Sequence, residues 1–388
     1  MRSELEALGE QSQLRELEIL RGVHLSSNDY LGLAARPEFK QAVLEAVARA
    51  DSMGSTGSRL LSGNRREWEE LETEFAGFAG TEAALYFGSG YAANVGLLSA
   101  LLKPGDVVFS DECNHASLID GIRLSGARKI IYPHFDLEFL ERAMSECRDA
   151  GIKLIVTESL FSMEGDLAPL DTLMELARAY GAELILDEAH ATGVLGPQGR
   201  GLGAEFGIES KTLAIVHTCG KALASMGAFV CGSELLRQFL INRARTFIFT
   251  TATPPYMAGQ IRAAIEFVRG ADAERKHLQE VAGALRKQLA ARGLRLGGSS
   301  HIVPVFLNSN EQALHVAAKL QASGFAAKAI RPPTVPAGTA RIRLSLTGRI
   351  TTDDVHRLAA ALCEAVESAP RSRGDGAALM PSCLSASS

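Results

Sequence analysis

The chain predicts an α/β fold: a mostly parallel central sheet with helices on both faces, followed by a smaller C-terminal α+β domain. Three observations predict it. From residue 82 to about 232, short apolar runs alternate with amphipathic stretches of helical period, which is the pattern of strand–helix–strand crossovers. Thr253-Pro254-Pro255 then breaks the alternation. Beyond it, strand-like and helical segments mix. At 388 residues the chain is long enough to bury such a core.

The elements follow in order. Leu5, Leu8, Leu14, Leu17 and Leu20 stand near helical spacing and predict a helix over 2–20. A second helix is expected over 38–52, closed by Gly54. Residues 54–64, GSTGSRLLSGN, are too rich in Gly and Ser for a regular element and read as a long loop. Helix returns over 65–78. The sheet strands are AALYF, DVVFS, RKIIYP, KLIVTES, ELILDE, TLAIVHT and AFVCG, with helices over 92–102, 115–124, 137–149 and 170–179 between them. One long helix is expected over 256–292. Strands IVPVFL and RIRLSL and helices over 311–322 and 352–367 complete the pattern. The expected domains are an N-terminal arm over 1–35, a large domain over 36–250 and a small domain over 251–367. The small, polar segment 368–388 reads as a disordered tail.

Composition excludes several classes. Lys plus Arg total 40 against 45 Asp plus Glu, a net charge of −5 without a basic block, so no nucleic-acid partner is expected. No apolar run approaches the ~18 residues of a membrane span. The N-terminus lacks the basic start and apolar stretch of a secretion signal. The six cysteines are widely spaced, without C-x-x-C or zinc spacing, so a reduced cytoplasmic chain and no metal are expected.

Five motifs carry chemistry. AALYF-Gly88-Ser89-Gly90-Tyr91 is a strand, a glycine turn and a helix start. The free N–H groups and positive dipole end of such a helix cradle phosphate. The same letters match a dinucleotide fingerprint, with Asp111 as its acid, or a purely structural turn. ELILDEAH sets Asp187 at a strand end with His190 beyond it. Ligands bind at that edge of an open α/β sheet, although a capping Asp beside a satisfied His has the same letters. A helicase-type acidic box needs an upstream G-x-x-x-x-G-K-[ST], and none exists. In TLAIVHTCGKALASMG, Lys221 follows a strand among small residues, with Thr218 nearby. A lysine desolvated there has a lowered pKa and forms Schiff bases with carbonyls. Asn114-His115 opens a helix after DVVFSDE, where the imidazole either caps the helix or covers a flat ligand. Finally, RPPTVPAGTA leads into RIRLSL, where Arg341 and Arg343 share one face of a strand. They grip a carboxylate or line a solvated face.

Together these features resemble the fold-type I enzymes that use pyridoxal 5′-phosphate (PLP), and more narrowly the α-oxoamine synthases. SSNDYLGL (26–33), GSTGSRLLSGN (54–64), TESLFSMEGD (157–166), LDEAHATGVLGPQGRG (186–201) and RPPTVPAGTARIRLSL (331–346) carry the resemblance, which runs from about residue 10 to 365. The family condenses an amino acid with an acyl thioester and loses CO2. Two of the phrases look most like the branch that joins L-alanine to a pimeloyl group on coenzyme A or acyl carrier protein. Sister branches use glycine or serine.

The resemblance implies roles. Lys221 holds PLP as a Schiff base and serves as base at the substrate Cα. Asp187 pairs with the pyridine nitrogen, and His115 stacks on the ring. His190 and Ser162 bond near the 3′ oxygen. Ser89, Gly90 and Tyr91 face the cofactor, with Thr218 at the phosphate end. Thr250 and Thr251 reach the partner subunit's phosphate, so a homodimer with shared sites is expected. Asn28, Arg343, Arg15 and Thr334 bind substrate: Asn28 is the family's active-site Asn, Arg343 holds the amino-acid carboxylate and Arg15 stands near the acyl entrance. Two positions depart from the family pattern: Ala224 replaces the usual glycine, and Met226 replaces a small residue.

Overall fold

The computed structural model describes residues 1–147 and 150–370. It divides into two compact units. The larger comprises 31–161 and 168–275, and the other 1–30, 162–167 and the residues from 276 on.

The larger unit holds a seven-stranded sheet. Its order is Ala83–Phe87, Ala228–Gly232, Ala214–Thr218, Glu183–Asp187, Lys153–Glu158, Val107–Asp111 and Arg128–Tyr132. Ala228–Gly232 runs against both its neighbours, and every other pairing is parallel. The inner strands are buried along nearly their whole length, which is why they read as continuous apolar runs and not as alternation. Leu85, Val108, Leu154, Ile185, Val216 and Val230 pack with Leu97 and Leu98 of helix Gly90–Leu101. At the edge, Arg128–Tyr132 exposes Arg128 and Lys129, charges that discourage further strand pairing. Because six strands run the same way, the residues after Phe87, Asp111, Asp187 and Thr218 emerge on one edge of the sheet.

The 54–64 loop is tied down by polar contacts. Arg59 forks onto Glu72 at 2.8 and 3.1 Å, and its Nε donates to Asn64 Oδ1 at 2.7 Å. Ser55 Oγ donates to the Thr253 carbonyl at 2.6 Å.

The other unit holds a three-stranded antiparallel sheet, Ala329–Ile330, Arg341–Ser345 and Ile302–Phe306. Val23–His24 pairs in parallel with Phe325–Ala326. Helix Thr352–Glu367 starts on a reciprocal Thr351/Asp354 capping box.

The structure corrects several expectations. The first helix is Arg2–Glu10, not 2–20. Ser12 takes a positive φ of 54° and ends it. Leu17 and Ile19 are fully exposed, so the leucine spacing has no apolar face to serve. Residues 12–18 are held instead by polar contacts: Arg15 to Thr334 at 2.7 Å, Lys328 to Glu18 at 2.5 Å, and Arg331 to the Ser12 carbonyl. The helix expected over 256–292 is two, Tyr256–Arg269 and Asp272–Ala291. Gly270 closes the first, and Asp272 and Glu274 start the second with acidic charge at its positive end. The helix begun at Leu137 ends at Ser145, and residues 148–149 of the expected span lie outside the described residues. Residues 251–275 group with the large unit and not with the small one, because Tyr256–Arg269 packs on helices Pro37–Arg49 and Arg66–Ala79. The arm over 1–30 groups with the later residues through the strand pairing of 23–24. Of the expected tail, residues 371–388 lie outside the described residues, whereas the Pro370 carbonyl accepts from Gln312 Nε2 at 2.9 Å.

Candidate active site

In the larger unit, four strand ends build one constellation. Ser89 caps helix Gly90–Leu101, its Oγ accepting from Ala92 N at 3.1 Å. The first N–H groups of that helix have no intrahelical acceptor. Gly90 faces Thr218: a Cβ on it would sit 3.5 Å from Thr218 Oγ1. Thr218 Oγ1 donates to the Gly227 carbonyl at 3.3 Å and accepts from Gly220 N at 3.4 Å. The Tyr91 side chain turns outward, half exposed, and donates to Asp120.

Lys221 Nζ lies 2.7 Å from His190 Nε2. Asp187 is buried. Its Oδ1 accepts from Ala189 N at 2.8 Å and its Oδ2 from Asn94 Nδ2 at 2.7 Å. His115 Nδ1 lies 2.8 Å from Ser117 Oγ. Burial depresses the His115 pKa, the charge of Asp187 opposes that shift and the charge of Lys221 adds to it. Imidazole, carboxylate and amine therefore share one electrostatic neighbourhood. Thr250 and Thr251 are exposed just beyond helix Arg245–Ile248. Ala224 has a φ of 45°, the left-handed region where glycine is at ease. Met226 is half exposed and its carbonyl accepts from Tyr86 Oη at 3.0 Å. Asp111, offered by the sequence as a dinucleotide acid, is a turn clasp. Its Oδ1 takes Cys113 N and bonds His134 Nδ1, each at 2.9 Å, and its Oδ2 takes Phe135 N at 3.4 Å. His134 thus reaches Asp111 from 23 residues further along the chain, a distance that hides the Asp111–Cys113–His134 cluster in the sequence.

In the other unit, Arg341 and Arg343 are buried, which rules out a solvated strand face. Arg341 Nη1 donates to the Met163 carbonyl at 3.1 Å and to Glu164 Oε1 at 3.0 Å. Arg343 Nε donates to the Ser162 carbonyl at 2.5 Å. Its two terminal nitrogens donate to Asn28 Oδ1 at 3.2 and 3.3 Å, and Nη2 to Tyr30 Oη at 3.4 Å. Arg286 makes five bonds to the carbonyls of Gly297, Gly298, Ser300 and Ile302, and the Gly165 carbonyl accepts from Ser299 N and Ser300 N. The 162–165 segment is thus gripped from two sides. A cavity of about 770 Å³ is lined by Arg15, Ile19, Leu314, Lys328, Arg331 and Thr334 among others.

The sequence reading missed Asn94, Ser117 and Tyr30. A polar signal was present for the first: Asn94 is the one amide in the apolar helix GYAANVGLLSAL.

Comparison with known proteins decides among the readings. The family model for aminotransferase class I and II matches residues 21–362. The chain is 45% identical to an 8-amino-7-oxononanoate synthase of Geobacter sulfurreducens over 375 residues, 92% of this chain and 96% of that one. It belongs to the α-oxoamine synthase family. Solved members superpose well. A serine palmitoyltransferase of S. paucimobilis with bound PLP has a TM-score of 0.87 at 29% identity, covering 95% of this chain and 96% of that one. An 8-amino-7-oxononanoate synthase of Francisella tularensis has a TM-score of 0.77 at 30% identity, covering 89% and 98%.

As a fold-type I member, the chain is a PLP-dependent acyltransferase. Its larger unit fits that cofactor. Lys221 offers an amine for the aldehyde, buried Asp187 an acceptor for a ring N–H, and the Ser89–Gly90 helix start free N–H groups for the phosphate. Among the described residues, no helix is long and apolar enough to cross a membrane.

Proposed function

We infer that the chain performs the reaction its relatives are named for. L-Alanine and a pimeloyl thioester give 8-amino-7-oxononanoate, CO2 and the free thiol, a step of biotin biosynthesis. The observation that carries this reading is the 45% identity to such synthases across nearly the whole chain, joined to the Lys221–His190–Asp187 group at one sheet edge.

Bound PLP supplies an electron sink for the charge left at Cα by proton loss and by loss of CO2. The residues do the rest. Lys221 Nζ anchors the cofactor, then takes the Cα proton and returns one to the product. His190 Nε2, 2.7 Å from Nζ, orients the amine and, with Ser162, serves the 3′ oxygen. Asp187 holds the ring N–H and keeps it protonated, while His115 covers the ring face. Ser89, Gly90, Tyr91 and Thr218 hold the phosphate end, the first three chiefly through backbone. Thr250 and Thr251, exposed here, complete the partner subunit's phosphate site in a homodimer. Arg343, beside Asn28, would grip the alanine carboxylate and so fix which bond at Cα is presented for proton removal. Arg15, 2.7 Å from Thr334, meets the acyl substrate. The compartment is the cytoplasm.

A sister reading, with glycine or serine as the amino acid, has one observation in its favour: several of the most similar solved structures are serine palmitoyltransferases. A visible spectrum of the PLP-loaded protein separates the two. The band is expected to respond at the lowest concentration to L-alanine, and Lys221→Ala to abolish the lysine-bound form. Tighter response to glycine or L-serine moves the chain to a sister branch. Failure to take up PLP sinks both.

A further inference from the structure

Asn94 sits in the middle of helix Gly90–Leu101, where an amide is costly unless satisfied. Its Nδ2 makes two bonds, to Asp187 Oδ2 at 2.7 Å and to Ser117 Oγ at 2.9 Å. The orientation of the amide is forced, because an ionised carboxylate can only accept. Ser117 Oγ therefore accepts from Asn94, and its own proton is free to point elsewhere. The neighbour in reach is His115 Nδ1, at 2.8 Å. Ser117 N also donates to that nitrogen, at 3.3 Å. Two donors converge on Nδ1, so Nδ1 carries no proton and the ring proton is on Nε2. The chain of donors runs one way, from Asn94 through the Ser117 hydroxyl to His115, with a branch to Asp187.

We propose that Asn94 and Ser117 are positioning residues that act as one unit, fixing the Asp187 carboxylate and holding His115 as the neutral Nε2–H tautomer before the cofactor binds. Neither acts on the reacting atoms directly. The charged groups that bear on His115 are Asp187 and Lys221, and burial outweighs the attraction of the carboxylate. A neutral ring is what a flat, electron-poor cofactor face accepts at least desolvation cost. The inference rests on the PLP reading for the purpose of Asp187 and His115, but the tautomer itself does not depend on it.

The test uses the full-length apoprotein with 15N-labelled histidines, His115→Asn identifying the His115 signals. Wild-type His115 is expected to show a protonated Nε2 and an unprotonated, hydrogen-bonded Nδ1. Ser117→Ala, which removes one oxygen, is expected to give a tautomer mixture. Asn94→Ala and Ser117→Ala are each expected to weaken PLP binding about tenfold, the loss of one bond to a charged or committed acceptor, with borohydride still fixing PLP covalently to Lys221 in the loaded state. A wild-type ring protonated on Nδ1 overturns the proposal. So does retention of the Nε2–H tautomer together with PLP affinity within about twofold in Ser117→Ala, which decides alone where Asn94→Ala fails to fold. Weak PLP binding in wild type, with the tautomer as expected, counts against the functional reading and not against this one.

Discussion

Arg343 occupies a strand whose residues are all buried, and its fork is held in place by bonds to Ser162, Asn28 and Tyr30. A guanidinium so placed is pre-aimed, with little freedom left to lose when a carboxylate arrives. Lysine at this position keeps the charge and loses the fork. Arg343→Lys is expected to raise the KM for L-alanine roughly ten- to hundredfold, about 1.5–3 kcal/mol for a charge-assisted bond, with the KM for the pimeloyl donor little changed. Steady-state kinetics with each substrate varied checks this, and an unaltered alanine KM would remove Arg343 from the carboxylate site. At this scale the sequence was readable wherever a candidate residue follows a strand. Lys221, Asp187 and His115 announce themselves by standing just past apolar runs. Asn94 and Ser117 do not, because their meaning lies in a bond to Asp187, 93 residues further along the chain from Asn94, and in an imidazole two residues before Ser117.

Among the elements, helix Arg66–Ala79 has the least expected passenger, the buried carboxylate of Glu72. It accepts Arg59 bidentately, takes Tyr86 N at 3.0 Å and lies 3.7 Å from Arg237. One side chain thus joins the 54–64 loop, its own helix and strand Ala83–Phe87. Gln at 72 keeps the shape but leaves the Arg59 charge, only 10% exposed, without compensation. Breaking one partner of such a pair costs about 3–5 kcal/mol. Glu72→Gln is expected to lower the urea midpoint accordingly, and a midpoint equal to wild type would show the loop to be held by other contacts. The glycine-rich phrase was legible as a loop. That an ion pair, and not its glycines, secures it was not, since Glu72 reads as one more acidic residue on a helix. The first helix shows the opposite failure. Leucines at helical spacing over 2–20 predicted twice the helix that forms, because periodicity reports a capacity to bury a face and says nothing of whether a face is there to meet it.

For the whole molecule, three fully buried titratable groups shape the acid limb of stability. Burial, aided by nearby arginines, holds His217 and His301 down at about 3 against 6.5. Their contribution is present above about pH 6.5 and lost as pH falls toward 3, since the unfolded chain takes up protons the native one refuses. Glu188 has the opposite sign. Burial raises it to about 7 despite bonds from Ser159, Leu202 and Gly203, so its contribution is present below 4.5 and lost as pH rises to 7. Between 4.5 and 6.5 the Glu188 proton offsets one of the two histidine protons, and below 4.5 both histidines count. Each uncompensated proton is worth about 1.4 kcal/mol per pH unit. Stability is expected to peak near neutrality, fall gently to pH 4.5 and steeply below it. Urea midpoints across that range check the shape, and His217→Gln should flatten the limb by about one proton. An acid limb no shallower in that variant would exclude His217 as a source.

What the sequence determined by itself is the larger sheet, strand for strand, and the set of residues at its edge. Buried parallel strands must be apolar throughout, and the residues that follow them must gather on one side, so local pattern and global placement coincide. Only the tertiary structure decided the rest: the exchange of segments that puts 1–30 and 162–167 with the C-terminal residues, the turn-clasp role of Asp111, and the line of donors from Asn94 to His115. Those depend on hydrogen bonds between residues far apart in sequence, and a polar side chain does not declare its partner until the fold has brought the two within 3 Å.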